Sequence, residues 1–325
     1  MEITLKINFT DFWENFDKTD NFFFDLLSKH YLVEISDNPD YLFYSCYGNE
    51  FFKYDCIRIF YTSENLRPDF LQCDYALSFD FLKRNNHFRL PLYHLYIQGH
   101  NYYPDLVKEI SREEATAIWK TKTKFCCMLV SNSNSEERIN FFKALSKIKK
   151  VDSGGRFLNN IGYSVVDKMA FIKDYKFVFA FENSKFAGYT TEKILEPFVV
   201  NSIPIYWGNK MIDKDFNRKS FINVNDFNNY ESLISKLIEI DRNDELAIEM
   251  IVQNKIAIGG SDHLVLMNDV LQFLFMIINR RVRIPASRNN FFLMRIFIRT
   301  NIQKLKVKII ATIRGFSSFL HFKIL

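Results

Sequence analysis

The chain has 325 residues, which is long enough for two domains of ordinary size. Its composition, 48% hydrophobic and 25% charged, excludes an intrinsically disordered protein. Its 35 Phe residues can build a large core. The net charge of +5 is unevenly spread, because the chain from Arg280 onward has eleven basic residues and no acidic ones. The preceding part therefore carries −6, and the tail is a separate electrostatic unit.

The five cysteines indicate the compartment. Their number is odd and none forms a CxxC pair, which favours free thiols in a reducing environment. The N-terminus lacks the basic and apolar regions of a signal peptide, and no run of about 18 apolar residues occurs. The sequence therefore predicts a cytoplasmic protein.

Short apolar runs alternate with polar stretches through the first third of the chain. NFFFDLLSKH is typical of a helix, and the strand-like runs are EITLKINF, YLVEIS, DYLFYS, IRIFYT and YALSF. A second series follows the polar, helical REEATAIWK, with strand-like runs KFCCMLVSN, KFVFAF, IPIYWG and FINVNDF. Ser133 and Glu136 fit a capping box before a helix, and further helices are predicted over 230–240, 245–256 and 261–279. Two successive α/β domains fit this pattern.

The segment after KFVFAF carries candidate binding residues. Ligands of α/β sheets bind beyond the carboxyl ends of the strands, and a helix N-terminus suits phosphate. Lys193 adds a cation there, Glu192 can accept hydrogen bonds from sugar hydroxyls, and Gly188 allows close approach of a ligand beside Tyr189. The alternative is a Glu192 that supports the helix N-terminus and a solvated Lys193.

The loop SGGR offers a second candidate. Arg156 in this loop suits a diphosphate clamp. The alternative is a glycine turn that ends a helix and carries an exposed arginine.

Four segments in order, VDSGGR, YKFVFAFENS with GYTTEK, IPIYWG, and KDFN with SFINVNDF, resemble the donor-binding region of the α-1,3-fucosyltransferases, glycosyltransferase family ten. The resemblance is clear over residues 56–80 and 125–230. It implies a GT-B fold, in which two Rossmann-like α/β domains face a central cleft. The expected regions are an acceptor-side domain with the general base (1–120), a GDP-fucose-binding domain (121–282) and a basic amphipathic tail (283–325). The last helix, 261–279, is expected to cross back to the first domain.

The resemblance also implies roles for residues that match the family's donor site. Glu192 and Lys193 match the pair that binds the ribose and phosphate of GDP-fucose. Tyr189 and Asn183 match positions that line the donor, and Arg156 matches an arginine that neutralises the diphosphate. The implied acceptor is a glycan, with transfer to O3 of GlcNAc in an N-acetyllactosamine-type chain. Position 4, an acceptor in lipopolysaccharide or capsule, and a different nucleotide sugar stay open.

IFYTSENLRPDF resembles the segment that carries the family's general base, which implies that role for Glu64. The residues alone favour a solvated loop carboxylate. The implied reaction inverts the anomeric carbon, and Glu182 or Glu192 is expected near the oxocarbenium-like centre. No cofactor or metal site is expected, so a divalent cation would be stimulatory and not essential. Asp213 and Asp215 have DxD spacing, but a loop or helix-cap role is favoured.

The tail mixes apolar residues with Arg and Lys at i, i+4 spacing over 290–325. This pattern predicts peripheral contact with the inner face of a membrane, which would suit lipid-linked glycans. A solvated tail is the alternative, and nucleic acid is disfavoured because apolar residues are too frequent. A membrane-binding protein with an inactive α/β body is the remaining non-enzymatic hypothesis.

Overall fold

The structure is a computed structural model that describes residues 4–131, 135–257 and 262–282, with residues 298 and 302. Three sequence predictions lie outside these residues. They are the tail over 283–325 apart from those two positions, its membrane contact, and the capping role of Ser133. Among the described residues, no helix is long and apolar enough to cross a membrane.

Within the described part, the first sheet has six parallel strands in the order β2-β1-β3-β4-β5-β6. The strands are β1 Thr4–Thr10, β2 Leu32–Ile35, β3 Tyr41–Tyr44, β4 Ile57–Tyr61, β5 Tyr75–Ser78 and β6 His87–Arg89. β3, β4 and β5 are buried along their whole length, as expected for a parallel sheet covered on both faces.

The second sheet has five described parallel strands in the order β11-β10-β9-β7-β8. They are β7 Lys124–Met128, β8 Val151–Ser153, β9 Tyr175–Phe181, β10 Ile203–Trp207 and β11 Ile222–Asn223. The predicted strand runs therefore form two separate parallel sheets, which confirms the α/β class. All five cysteines are free, and four are buried in the strands or beside them.

Helices connect these strands, and most begin at a polar residue whose side chain accepts hydrogen bonds from the first backbone N–H groups. They are α1 Phe22–Ser28, α2 Leu92–His100, α3 Tyr103–Val107, α4 Arg112–Thr121, α5 Glu136–Ser146, α6 Lys168–Ile172, α7 Leu195–Val199, α8 Tyr230–Arg242, α9 Asp244–Ile251 and α10 His263–Arg280. The helix predicted from the TTEK motif is shorter than expected. It consists of a 3-10 turn over Glu192–Ile194 that continues into the single turn and a half of α7.

Two helices pack on a sheet outside the domain in which the sequence analysis placed them. α10 packs Val270 and Leu274 into the core of the first sheet, and the Tyr41 hydroxyl donates a hydrogen bond of 2.9 Å to the Ile278 carbonyl. This confirms that the last helix crosses back. α4 packs Trp119 into the core of the second sheet. The predicted boundary at residue 120, and the placement of α10 with the second domain, therefore differ from the packing.

The carboxyl edges of the two sheets meet. Phe79 follows β5 and lies edge-on to Tyr189, which follows β9, at 5.3 Å between ring centroids. Arg89 at the end of β6 forms a two-point ion pair with the buried carboxylate of Asp215, at 2.9 and 2.8 Å. Both contacts join the two sheets at their carboxyl edges. The cleft between the sheets therefore lies where α/β proteins bind ligands.

Candidate active site

Glu64 lies on the first-domain side of the cleft, just beyond the end of β4. Its backbone N–H donates to the Thr62 hydroxyl oxygen at 3.0 Å, and its carboxylate accepts a hydrogen bond of 2.9 Å from the Tyr47 hydroxyl. The side chain is partly exposed. A carboxylate held in one direction and open to the cleft can take a proton from a bound hydroxyl.

Glu182 lies on the opposite side, at the end of β9, and is fully buried. Its two oxygens accept hydrogen bonds from the Thr191 backbone N–H at 2.8 Å and the Thr191 hydroxyl at 2.7 Å, and Lys193 Nζ lies 3.5 Å away. Burial raises the pKa of Glu182, which the Lys193 ammonium opposes. The carboxylate that was expected beside the sugar therefore anchors the segment that carries Glu192 and Lys193.

Glu192 and Lys193 lie side by side and are each 18% exposed. Burial alone would lower the pKa of Lys193, but the carboxylates of Glu182 and Glu192 outweigh it and raise the pKa. Burial would raise the pKa of Glu192, but Lys193 outweighs it and the pKa is lowered. Both groups are therefore charged at neutral pH, and the alternative of a solvated Lys193 does not hold.

Arg138 is a site residue that the sequence did not single out. It lies in the first turn of α5, is 2% exposed, and donates to the Phe181 carbonyl at 2.9 Å and to Asn183 Oδ1 at 3.1 Å. Arg138, Asn183, Glu192 and Lys193 line one cavity of about 170 Å³. This is roughly the volume of six water molecules, which suits part of a nucleotide sugar. The available signal was a basic residue in the first turn of a helix that follows a strand of the sheet.

Three cations, Arg138, Lys168 and Lys193, and two carboxylates, Glu192 and Glu196, line this small cavity. Burial and the two carboxylates have the larger effects on the pKa of Lys193. Arg138 also lies close enough to lower that pKa. Arg–phosphate contacts are charge-assisted and commonly two-pronged. Lys168 also lines the cavity, where it is ion-paired with Glu196.

Arg156 is placed differently from the other candidates. It is exposed and does not line the cavity, although its loop lies against the end of β7. The Phe157 backbone N–H donates to the Val130 carbonyl at 3.2 Å, and a Cβ on Gly155 would lie 1.9 Å from the same oxygen. The glycine loop therefore seats on the sheet, while its arginine faces solvent.

Tyr189 and Gly188 form part of the contact between the domains. Gly188 has a φ of +87°, and a Cβ there would lie 2.5 Å from the Phe79 carbonyl oxygen, so a side chain would push the domains apart. Tyr189 is 3% exposed. Burial raises its pKa, as do the carboxylates of Glu182 and Glu64 from the two sides of the cleft. Tyr189 thus lies between the two halves of the site.

Among residues 4–131, 135–257 and 262–282, no group of three or more His, Cys, Asp or Glu side chains could hold a metal ion. The Asp215 carboxylate, part of the DxD spacing, is paired with the Arg89 guanidinium. The metal and cofactor requirement stays a prediction.

Two parallel α/β domains whose carboxyl edges face each other, with an anion cavity on one side, define the GT-B glycosyltransferase fold. The model of the alpha-(1,3)-fucosyltransferase FucT N-terminal domain matches residues 7–96, and the model of the glycosyltransferase family 10 (fucosyltransferase) C-terminal region matches residues 119–250. The chain belongs to glycosyltransferase family 10, the fucosyltransferases.

Individual relatives agree with this family. The chain is 32% identical over 270 residues to the alpha-(1,3)-fucosyltransferase FucT of Helicobacter pylori, covering 70% of this chain and 55% of that protein. It is 34% identical over 131 residues to the 4-galactosyl-N-acetylglucosaminide 3-alpha-L-fucosyltransferase 9 of Mus musculus, covering 39% of this chain and 36% of that protein. The chain thus spans about half or less of the length of these relatives. A crystal structure of an alpha1,3-fucosyltransferase with GDP-fucose superposes with a TM-score of 0.73 at 27% identity, covering 86% of this chain and 91% of that one.

Proposed function

We propose that this chain transfers L-fucose from GDP-fucose to a hydroxyl of an oligosaccharide, with inversion at the anomeric carbon. The observation that carries the proposal is the placement of Glu64 across the cleft from the cavity lined by Arg138 and Lys193. A base facing an anion site across a cleft is what displacement of a nucleoside diphosphate by a sugar hydroxyl needs. Family membership, and the relative solved with GDP-fucose, support this donor.

In this mechanism the oxygen of the acceptor hydroxyl forms a bond to the anomeric carbon, and Glu64 accepts the proton of that hydroxyl. General-base help of this kind contributes about 10²- to 10⁴-fold. The bond between the anomeric carbon and the diphosphate oxygen breaks, and both electrons leave with GDP. Negative charge therefore grows on the diphosphate, and Arg138 and Lys193 stabilise it.

The remaining site residues bind and position. Glu192 is charged and only accepts hydrogen bonds, which suits the hydroxyls of ribose. Asn183 orients Arg138 and lines the cavity with it. Tyr189 closes the cleft between the domains, and Glu182 holds Thr191 and Lys193 in place. Arg138 thus takes the diphosphate role that the sequence assigned to Arg156.

The acceptor and the location are also proposals. The name of the Mus musculus relative describes transfer to position 3 of a 4-galactosyl-N-acetylglucosaminide. This supports O3 of GlcNAc in an N-acetyllactosamine-type chain as the acceptor position here. A cytoplasmic protein that contacts the membrane through residues 290–325 remains the predicted location.

A transfer assay read by mass spectrometry tests the proposal. The full chain is incubated with GDP-fucose and N-acetyllactosamine, with Glu64→Gln in parallel. We expect a product heavier by one fucose, a loss of at least about 100-fold in kcat for Glu64→Gln, and unchanged GDP binding in that variant. A wild-type chain that binds a different nucleotide sugar in preference to GDP-fucose would overturn the donor assignment.

A further inference from the structure

An aromatic cavity lies at the end of β1, on the first-domain side of the cleft. It has a volume of about 350 Å³, and its walls include Phe12, Trp13, Phe16 and Tyr61. Trp13 is 45% exposed and lies edge-on to Phe16 at 5.0 Å between ring centroids. Exposed aromatic patches of this kind, rimmed by polar groups, mark binding grooves.

Tyr61, in the wall of this cavity, has a buried hydroxyl. It is 1% exposed, and its hydroxyl has no hydrogen-bond partner among the residues that the structure describes. A buried hydroxyl without a partner costs about 1–3 kcal/mol.

The cavity is within reach of Glu64. β1, β3 and β4 are neighbours in the sheet, and the three segments beyond their carboxyl ends carry Trp13, Tyr47 and Glu64. Neighbouring strands are about 4.8 Å apart, so the ends of β1 and β4 are roughly 10 Å apart. The Asp11 carbonyl accepts a hydrogen bond of 2.9 Å from the Tyr47 N–H, which ties the first segment to the second.

A larger cavity, of about 900 Å³, continues from the first between α1, α2 and α10. The two cavities share Asp20, Asn21, Phe22 and Leu95 as walls. We call these two adjacent cavities together the distal groove, which extends from the end of β1 to Gly99 near the end of α2. Its combined volume is that of a site for several sugar units and far exceeds what one reacting sugar needs.

The charges of the distal groove select among ligands. Among the described residues that line it, Asp17, Asp20 and Asp25 are acidic and Lys29 alone is basic. Anionic ligands are repelled by this excess of carboxylates, whereas sugar hydroxyls can donate to them. The donor nucleotide is excluded as the occupant, because its phosphates need the cations of the second domain.

We infer that the distal groove binds the non-reacting sugars of an extended, uncharged oligosaccharide acceptor, with Trp13 as the stacking platform nearest to Glu64. The inference rests on the proposed function and adds to it the length and charge of the acceptor. Acceptors of several units gain contacts along α1 and α2 that a disaccharide lacks.

Gly99 allows a sharp test. It lies in α2 in the wall of the distal groove, and a Cβ built on it meets no atom within 4 Å, so a larger side chain has open space to enter. The full chain, Gly99→Trp, and Lys120→Trp on the exposed face of α4 are assayed with N-acetyllactosamine and its two- and three-unit oligomers. For the wild type and Lys120→Trp we expect kcat/KM to rise by at least about threefold from the single unit to three units, a ratio worth about 0.7 kcal/mol. For Gly99→Trp that ratio should fall to about one.

A second test uses binding without donor, read by tryptophan fluorescence. The three-unit neutral oligomer should change the emission of Trp13, and Trp13→Phe should abolish the change. The same oligomer carrying a terminal sialic acid should bind more weakly, and the double variant Asp20→Asn, Asp25→Asn should restore its binding.

The outcomes separate the two proposals. No transfer to any acceptor overturns the proposed function. Transfer with equal kcat/KM for one and three units, or a ratio unaffected by Gly99→Trp, overturns the distal groove alone. Tighter binding of the sialylated oligomer than of the neutral one overturns the charge selection.

Discussion

Asn65 donates a hydrogen bond of 2.7 Å to the Ser184 hydroxyl, and this bond joins the segment after β4 to the segment after β9. Asn65 follows the proposed base Glu64, and Ser184 follows the cavity residue Asn183. The hydrogen bond therefore joins the two halves of the proposed site at positions next to Glu64 and Asn183. Under the proposed function this contact would set the spacing between acceptor and donor, on which the rate of a displacement depends steeply.

Removal of this bond is expected to slow the reaction more than it weakens binding. Asn65→Ala should lower kcat about three- to tenfold, because one hydrogen bond of about 1 kcal/mol no longer holds the base segment in place. The Kd of GDP should stay within twofold of wild type. Steady-state kinetics and GDP titration check this, and a variant that weakens GDP binding as much as kcat would place Asn65 in the donor site instead.

A matched pair of arginine variants tests the diphosphate site. Arg138→Ala should weaken GDP binding by at least about tenfold, because it removes a charge-assisted contact worth about 1.5–3 kcal/mol. Arg156→Ala should change the Kd by less than about twofold, since its side chain is exposed and outside the cavity. Calorimetric titration with GDP gives both values. The reverse order would restore the role that the sequence assigned to Arg156.

The ion pair between Arg89 and Asp215 is expected to stabilise the contact between the domains. Arg89→Met should lower the free energy of unfolding by about 3–5 kcal/mol, because it leaves the Asp215 carboxylate, which is only 4% exposed, without its cation. The double variant Arg89→Met, Asp215→Leu should recover most of that loss, since no buried charge remains. Urea unfolding measures all three proteins, and a double variant as unstable as the single one would contradict the argument.

His87 is expected to make the protein less stable in acid. Burial lowers the pKa of His87 from 6.5 to about 4, and its Nε2 lies 2.9 Å from the Ser78 hydroxyl. Below pH 6.5 the unfolded chain binds a proton that the folded chain does not, so stability falls with pH from 6.5 to about 4. From pH 7 to pH 5 the loss from this group is about 2 kcal/mol.

Urea unfolding of His87→Gln at pH 7 and pH 5 isolates this contribution. The variant should lose about 2 kcal/mol less than wild type over that interval, whereas His100→Gln, at an exposed position on α2, should follow the wild type. Equal losses for all three proteins would show that His87 titrates normally in the folded state.

The family resemblance could propose Glu64, Glu192 and Lys193 as site residues before the fold was known, because each lies within a short stretch of contiguous residues. SEN, TEK and PIYWG are such local patterns, and a strand is recognisable from its own apolar run. The same apolar runs indicated the α/β class of the two sheets. They did not give the order of the strands within each sheet.

The tertiary structure decided what depends on segments distant in the chain. It replaced exposed Arg156 with buried Arg138 as the proposed diphosphate ligand, and it turned Glu182 from a sugar neighbour into the anchor of Thr191 and Lys193. It also brought α1 and α2 together as walls of the distal groove. The sequence by itself therefore determined the fold class and the family, and it proposed the local binding motifs. Burial and convergence arise only when separate elements pack together, at separations from 45 residues for Arg138 and Asn183 to 119 residues for Asn65 and Ser184, so they were decided by the tertiary structure alone.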